Sequence, residues 1–330
     1  MTLASRLASH GANPAAGAPE LELEHAACPL GCQPGDEPIL QGRDLKQGLP
    51  GLFTIVRCRC CSLLRTDPRP TPAAMLAYYP DDYSSYWTPP QDDSPERIPR
   101  WKRRLRALRR TEQYRLPPAA PGRLLDVGCG PGTFLCEMGA TGWRGEGIEL
   151  SEYAASKARE LGFPVRTGAI ETAAGPEQPV DLVTAFEVLE HLHAPVLALK
   201  KMASWTVQGG WLVASVPNAA AIGFHCFGAL WYHLHLPNHL YHFTTHTMKR
   251  LLDLSGWELV RVFHHRVLEA ECKSAGRWLA AKNRLPWLAR ELQGYDSRLG
   301  RNNLLMLPAA SALALVGRTG GMTLWARKAG

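Results

Sequence analysis

No unbroken run of about 20 apolar residues, the length that spans a bilayer, occurs in this chain. Its most apolar stretch, Leu304 to Val316, has 13 residues and is free of charge, which suits a helix lying shallowly in a membrane surface or covering a core. A charged start followed by an apolar core and a cleavage site is missing from residues 1–20, which are rich in Ala, Gly and Pro. The expectation is a disordered tail on a cytoplasmic protein. A disulfide framework is missing too: five of the nine cysteines fall between 28 and 61 and the rest are scattered, so reduced thiols are expected. Nor is positive charge spread over the chain. Of the net +7, residues 97–115 carry nine Arg or Lys and one Glu, and the remainder sums to −1. That pattern excludes a nucleic-acid groove wrapped around the whole protein and points to one anionic surface or substrate at one place.

What is present begins with Leu124-Leu-Asp-Val-Gly-Cys-Gly-Pro-Gly-Thr-Phe-Leu135: an apolar run ending in an acid, three alternate glycines, then an apolar helical start. This reads as strand, tight turn and helix. Glycines at Gly128, Gly130 and Gly132 let backbone approach a ligand closely, because no Cβ intervenes and positive φ costs nothing. A second short strand, Gly145 to Leu150, carries Glu149 at its tip, 23 residues after Asp126, where an acid suits a ribose diol. The dinucleotide pattern Gly-x-Gly-x-x-Gly is lacking, since Thr133 holds its sixth position, and this weakens a hydride-transfer reading.

Alternating strands and helices follow. Strands are expected at 123–127, 145–149, 164–166, 181–186, 210–216, 257–263 and 322–327, with helices at 132–139, 151–161, 195–205 and 244–255. Such units build an α/β fold, a doubly wound, mostly parallel seven-stranded sheet with its ligand at the carboxyl ends of the strands. Residues 125–132 resemble the first motif of the class I S-adenosylmethionine-dependent methyltransferases, and Phe186-Glu-Val-Leu-Glu-His-Leu192 resembles their fourth. The resemblance implies a Rossmann-like methyltransferase sheet, closed by an antiparallel pair formed by the last two strands. It implies S-adenosyl-L-methionine held by Asp126, Gly128, Gly130, Gly132 and Glu149, with Ala169 and Ile170 at the adenine and Phe186 beside it. An acid common after Gly168 is replaced here by Ala169.

Cys28-Pro-Leu-Gly-Cys32 and Cys58-Arg-Cys-Cys61 form two close clusters, with Phe53 to Val56 as a strand leading into the second. This is the outline of a small zinc-ribbon-like module, in which Cys28, Cys32, Cys58 and Cys61 would hold structural Zn²⁺ and staple a unit too small for its own core. Cys60 is a fifth candidate, and unliganded surface thiols are the alternative. An aromatic segment, Tyr78 to Trp87, resembles one that approaches the cofactor in ribbon-bearing methyltransferases, and Tyr83 is the expected lid contact. Residues 97–115 place Trp101, Leu105 and Leu108 on one stripe of a basic helix. The expected division is a tail (1–24), the cysteine module (25–67), a linker with the aromatic segment and basic helix (68–121), and a catalytic domain (122–330) with a helical insertion at 265–320.

Three roles stay open for the Glu190-His191 pair. They can cap and orient the chain, His191 can be a general base near neutrality, or the pair can join Glu187 in the divalent-metal site implied by the resemblance to ubiquinone-pathway O-methyltransferases. Six histidines between 225 and 246 follow the fifth strand, and His239 or His242 is the alternative base. The expected function is methyl transfer to oxygen of a sugar-linked, lipid-linked or phenolic small-molecule or glycan acceptor, with peripheral contact at an anionic inner membrane face and no nucleic-acid partner. The rivals are C-methylation of a nucleotide-linked sugar and a non-catalytic docking module.

Overall fold

The computed structural model describes residues 22–79, 112–295 and 301–330. Tyr83, Trp101, Leu105, Leu108 and most of the basic stretch lie outside these.

Strands β1 (Leu23–Glu24) and β5 (Arg69–Pro70) form a separate antiparallel pair. The main sheet is built from β6 (Arg123–Val127), β7 (Arg144–Glu149), β8 (Val165–Thr167), β9 (Val180–Phe186), β10 (Thr206–Pro217), β12 (Trp257–His264) and β13 (Gly321–Lys328), which lie in the order β12-β13-β10-β9-β6-β7-β8. The first five run parallel, and β13 inserts antiparallel between β10 and β12. Central β6 and β9 are buried almost throughout because helices cover both faces of a parallel sheet. Helices α1 (Thr133–Gly139), α2 (Glu152–Glu160), α3 (Pro195–Trp205), α4 (Ile222–Phe227) and α5 (Thr245–Asp253) make the crossovers and the outer layer. Ser151 caps α2 by accepting the Ala154 amide, and Thr244 with Thr247 closes a capping box on α5.

The cysteine module is not set apart. Strands β2 (Asp36–Gly42), β3 (Phe53–Cys58) and β4 (Leu64–Thr66) form an antiparallel sheet whose fourth strand, β11 (Tyr241–His242), comes from the far half of the chain. A single core runs from Phe53, Ile55 and Leu63 through Leu240 and Phe243 to Leu125, Val183 and Trp257. Buried Arg69 fastens the seam, donating to Glu24 at 2.8 Å, to the Tyr241 hydroxyl at 3.0 Å and to the His193 carbonyl at 3.1 Å.

The insertion between β12 and β13 is helical: α6 (Glu269–Ala281), α7 (Pro286–Gln293) and α8 (Arg301–Leu315). The apolar run at 304–316 is not a core helix. Ala310 is buried and Leu313 packs toward Leu268 and Cys272, whereas Leu305, Leu315 and Val316 are 83%, 88% and 68% exposed.

Candidate active site

Strand β6 delivers Asp126 to the carboxyl edge of the sheet, where it is buried and accepts the Thr184 hydroxyl at 2.6 Å. Burial, and then the nearby Glu149, push its pKa up to about 7. The turn that follows needs its glycines: Gly128, Gly130 and Gly132 have φ of +72°, +54° and +86°. A Cβ on Gly128 would come within 2.5 Å of Val188 Cγ2, so this glycine lets the 187–191 turn lie against the first one. A Cβ on Gly130 would meet nothing within 4 Å. That glycine faces open space.

Glu149 braces the turn, a role its place in the sequence did not reveal. Its carboxylate accepts the Gly130 amide at 2.8 Å and the Ser151 amide at 2.9 Å, and burial raises its pKa. Beyond β8, Gly168 donates to the Glu149 carbonyl at 2.9 Å, which brings Ala169 and buried Ile170 to the same edge. Phe186 packs edge-on to Phe134 and Tyr114, with ring centroids 5.0 and 4.8 Å apart. Tyr114 was missed by sequence reasoning, which saw only the charges around it. These features fit S-adenosylmethionine: an open cradle at Gly130, an aromatic wall, and two buried carboxylates whose charge the ligand's sulfonium and ammonium groups would relieve.

Opposite the glycine turn, the 3-10 turn Leu189–His191 presents Glu190 and His191. Glu190 is fully buried, and its carboxyl has no partner among the described residues except the neighbouring Glu187 carboxyl. Burial, and then Glu187, hold its pKa well above the usual carboxylate range. Nδ1 of His191 lies 3.0 Å from the Asn238 carbonyl and 2.7 Å from the Tyr79 hydroxyl. Nδ1 of His239 lies 2.8 Å from the His233 carbonyl. A carbonyl only accepts, so each Nδ1 carries the proton; the Nε2 lone pair of His239 then accepts from Nδ1 of His235 at 3.2 Å, while Nε2 of His191 keeps its lone pair. The two rings meet edge to face with centroids 4.7 Å apart, and burial pushes the His191 pKa down to about 4 and that of His239 well below the ordinary histidine value.

One donor atom from each of Glu190, His191 and His239 lies within 4.8 Å of the others. The expected metal set was Glu187, Glu190 and His191. The structure brings His239 into that cluster in place of Glu187, whose carboxylate accepts the Ser215 hydroxyl at 3.2 Å and lies beside that of Glu190. His242 is buried with no hydrogen-bond partner on either ring nitrogen, and its ring centroid is 6.5 Å from that of His239.

In the cysteine module, the thiols of Cys28, Cys32, Cys58 and Cys61 lie within 4.8 Å of one another, and the sulfurs of Cys28 and Cys61 are 3.6 Å apart. A tetrahedral Zn–S₄ centre sets its sulfurs about 3.8 Å apart, so the four fit zinc. Cys60 is exposed and outside the set.

The sheet order, the glycine turn and the acids beside it define a class I S-adenosylmethionine-dependent methyltransferase, and residues 100–262 match the family model for a methyltransferase domain. The chain is similar to the ubiquinone biosynthesis O-methyltransferase of Thiobacillus denitrificans, with 36% identity over 32% of this chain and 48% of that protein. It is also similar to that of Bordetella bronchiseptica, with 38% identity over 29% and 43%. The chain spans about half the length of the curated relatives it matches. Among solved structures, an S-adenosylmethionine-dependent methyltransferase from Mesorhizobium loti aligns over 68% of this chain and 95% of its own at 19% identity, with a TM-score of 0.43.

Proposed function

We propose that this protein transfers the methyl group of S-adenosylmethionine to a hydroxyl oxygen of a small-molecule acceptor bound over Glu190, His191 and His239. The carrying observation is that one donor atom from each of Glu190, His191 and His239 lies within 4.8 Å of the others, with Glu190 fully buried and each imidazole oriented by a carbonyl at its Nδ1. A buried carboxylate in that state is either protonated or paired with a cation. Imidazoles oriented by second partners are what divalent-metal ligands require. Alone, His191 is a poor match for deprotonating a hydroxyl, since a base with a pKa near 4 gives little driving force. A divalent cation held by the three residues would supply that force by lowering the pKa of the hydroxyl. His191 and His239 position the acceptor oxygen, and the turn packed on Gly128 sets them beside the cofactor cradle. The sulfonium is already an activated donor, so alignment supplies much of the remaining acceleration.

Structural zinc at the four cysteines belongs to this reading, supported by their spacing. Peripheral contact with an anionic membrane belongs to it too, supported by the exposed Leu305, Leu315 and Val316, and tested by co-sedimentation with acidic vesicles. Protein left in the supernatant at low salt would remove it. Among the described residues no helix is long and apolar enough to cross a membrane.

The function is tested with labelled methyl donor and a panel of phenols, activated sugars and lipid-linked glycans. Label should appear on oxygen, and Glu190→Gln and His239→Gln should each slow transfer about a hundredfold without weakening cofactor binding. Label on carbon, or full rate in both variants, would overturn the assignment.

A further inference from the structure

Between α4 and α6 lies an open cleft of about 290 Å³, and none of its lining residues belongs to the candidate active site. Helix α4 follows the carboxyl end of β10, so the cleft lies at the same edge of the sheet as the glycine turn. Ile222, Phe227, Leu268 and Leu292 give it apolar walls, and the exposed Cys226 lines it as well. An apolar cavity of about 150 Å³ already takes benzene, so this one has room for two fused rings.

Two buried polar groups beside the cleft go without a partner from elsewhere in the described residues. The indole Nε1 of Trp231 makes no hydrogen bond, and the carboxyl of Glu271 has only its own backbone amide. Both face Gly223, which lines the cleft. A Cβ on that glycine would stand 3.0 Å from Trp231 Nε1 and 3.4 Å from Glu271 Oε1, so the missing side chain leaves the space in front of both atoms free. Burial pushes the Glu271 pKa up to about 7 against the pull of its own amide, as expected of a carboxyl taken from water without a donor from another residue.

The pair restricts what the cleft can hold. An indole N–H only donates and a carboxylate only accepts. A pure hydrocarbon would leave both unpaired, which is costly for buried groups. An ammonium group would satisfy Glu271 alone, and a carboxylate would satisfy Trp231 alone while meeting the charge of Glu271. A hydroxyl accepts from the first and donates to the second. We propose that this cleft binds an apolar small molecule bearing a hydroxyl, which accepts the Trp231 indole N–H and donates to Glu271 while the apolar body lies against Phe227, Leu268 and Leu292. The site is independent of the methyl-transfer reading, since its geometry and chemistry draw on none of the residues assigned to that reaction.

The test is calorimetric titration of the full chain, without S-adenosylmethionine, with three probes built on one ring system: 1-naphthol, naphthalene and 1-naphthoate. Wild type should bind 1-naphthol about tenfold more tightly than naphthalene, as hydrogen bonds to otherwise unpaired buried groups do, and 1-naphthoate weakest of the three. Glu271 pairs with no other described residue, so Glu271→Leu should fold, with a melting temperature no lower than that of wild type, and should bind 1-naphthol and naphthalene equally. Cys226 locates the ligand: bound 1-naphthol should slow its alkylation by N-ethylmaleimide, read by peptide mass spectrometry, and leave that of the exposed Cys60 unchanged. Wild type that binds no 1-naphthol, or binds it no better than naphthalene, would overturn the proposal. So would 1-naphthol binding that leaves Cys226 as reactive as before, or a preference for 1-naphthol that persists in Glu271→Leu.

Discussion

The Thr66 hydroxyl donates to the His239 carbonyl at 2.8 Å, tying a strand of the cysteine module to a histidine 173 residues later. The Thr66 amide donates to the next carbonyl, that of Leu240, at 2.9 Å, and β4 then pairs with β11. His239 thus takes its backbone position from the module and its ring orientation from the His233 carbonyl. The cysteine module is a wall of the candidate active site.

Thr66 should therefore act as a positioning residue. Thr66→Val keeps the shape and removes the hydroxyl from a fully buried place, leaving a carbonyl unpaired, which costs about 1–3 kcal/mol in urea unfolding. It should also lower kcat while leaving the affinity for S-adenosylmethionine unchanged. Thr66→Ser should restore both, and a variant as stable and active as wild type would show that the bond positions nothing.

Zinc should be present at one equivalent per chain after purification without chelators. Folded Cys₄ sites bind too tightly to lose their metal on a column. Cys58→Ser should release the zinc and, because the module shares its sheet with β11, should also destabilise the region around His239. Elemental analysis reading under about 0.2 equivalents would remove the metal from the account.

Acid should unfold the protein early. Burial pushes the pKa of His233 down to about 4 and that of His242 down to about 3, against about 6.5 in an unfolded chain. A histidine depressed in this way contributes stability that is complete above pH 6.5 and is lost as pH falls through the folded value, because the unfolded chain binds the proton first. The melting temperature should fall steeply between about pH 6.5 and 4. His242→Phe removes one such group where its ring nitrogens make no hydrogen bond, and should flatten that fall. An unchanged pH profile in the variant would mean that His242 is not held neutral by the fold.

The sheet was legible because its signal is local. The apolar runs at 123–127 and 181–186 and the glycine turn between strand and helix each declare themselves within a dozen residues, and observed strand ends fall close to the expected ones. Cys28, Cys32, Cys58 and Cys61 were legible for the same reason. The Glu190, His191 and His239 cluster was legible only in part. Glu190 and His191 are adjacent, but His239 joins them through pairing between β4 and β11, which no local pattern encodes. Spacing also failed to separate Glu187 from Glu190: both are buried side by side, and the Ser215 hydroxyl that holds Glu187 comes from a strand end 28 residues on. Composition left the run at 304–316 with two readings, a membrane-surface helix or a cover for the core; Leu305, Leu315 and Val316 are exposed on the insertion.

Gly130 offers the most direct test of cofactor binding at the glycine turn. An arginine there would enter open space rather than protein, and a left-handed non-glycine residue costs about 1–2 kcal/mol, which a domain of ordinary stability survives. Calorimetric titration should show wild type binding S-adenosylmethionine at one site per chain with no response to NAD, and folded Gly130→Arg binding neither. A Gly130→Arg variant that binds S-adenosylmethionine as tightly as wild type, or a wild-type protein that prefers NAD, would contradict the assignment.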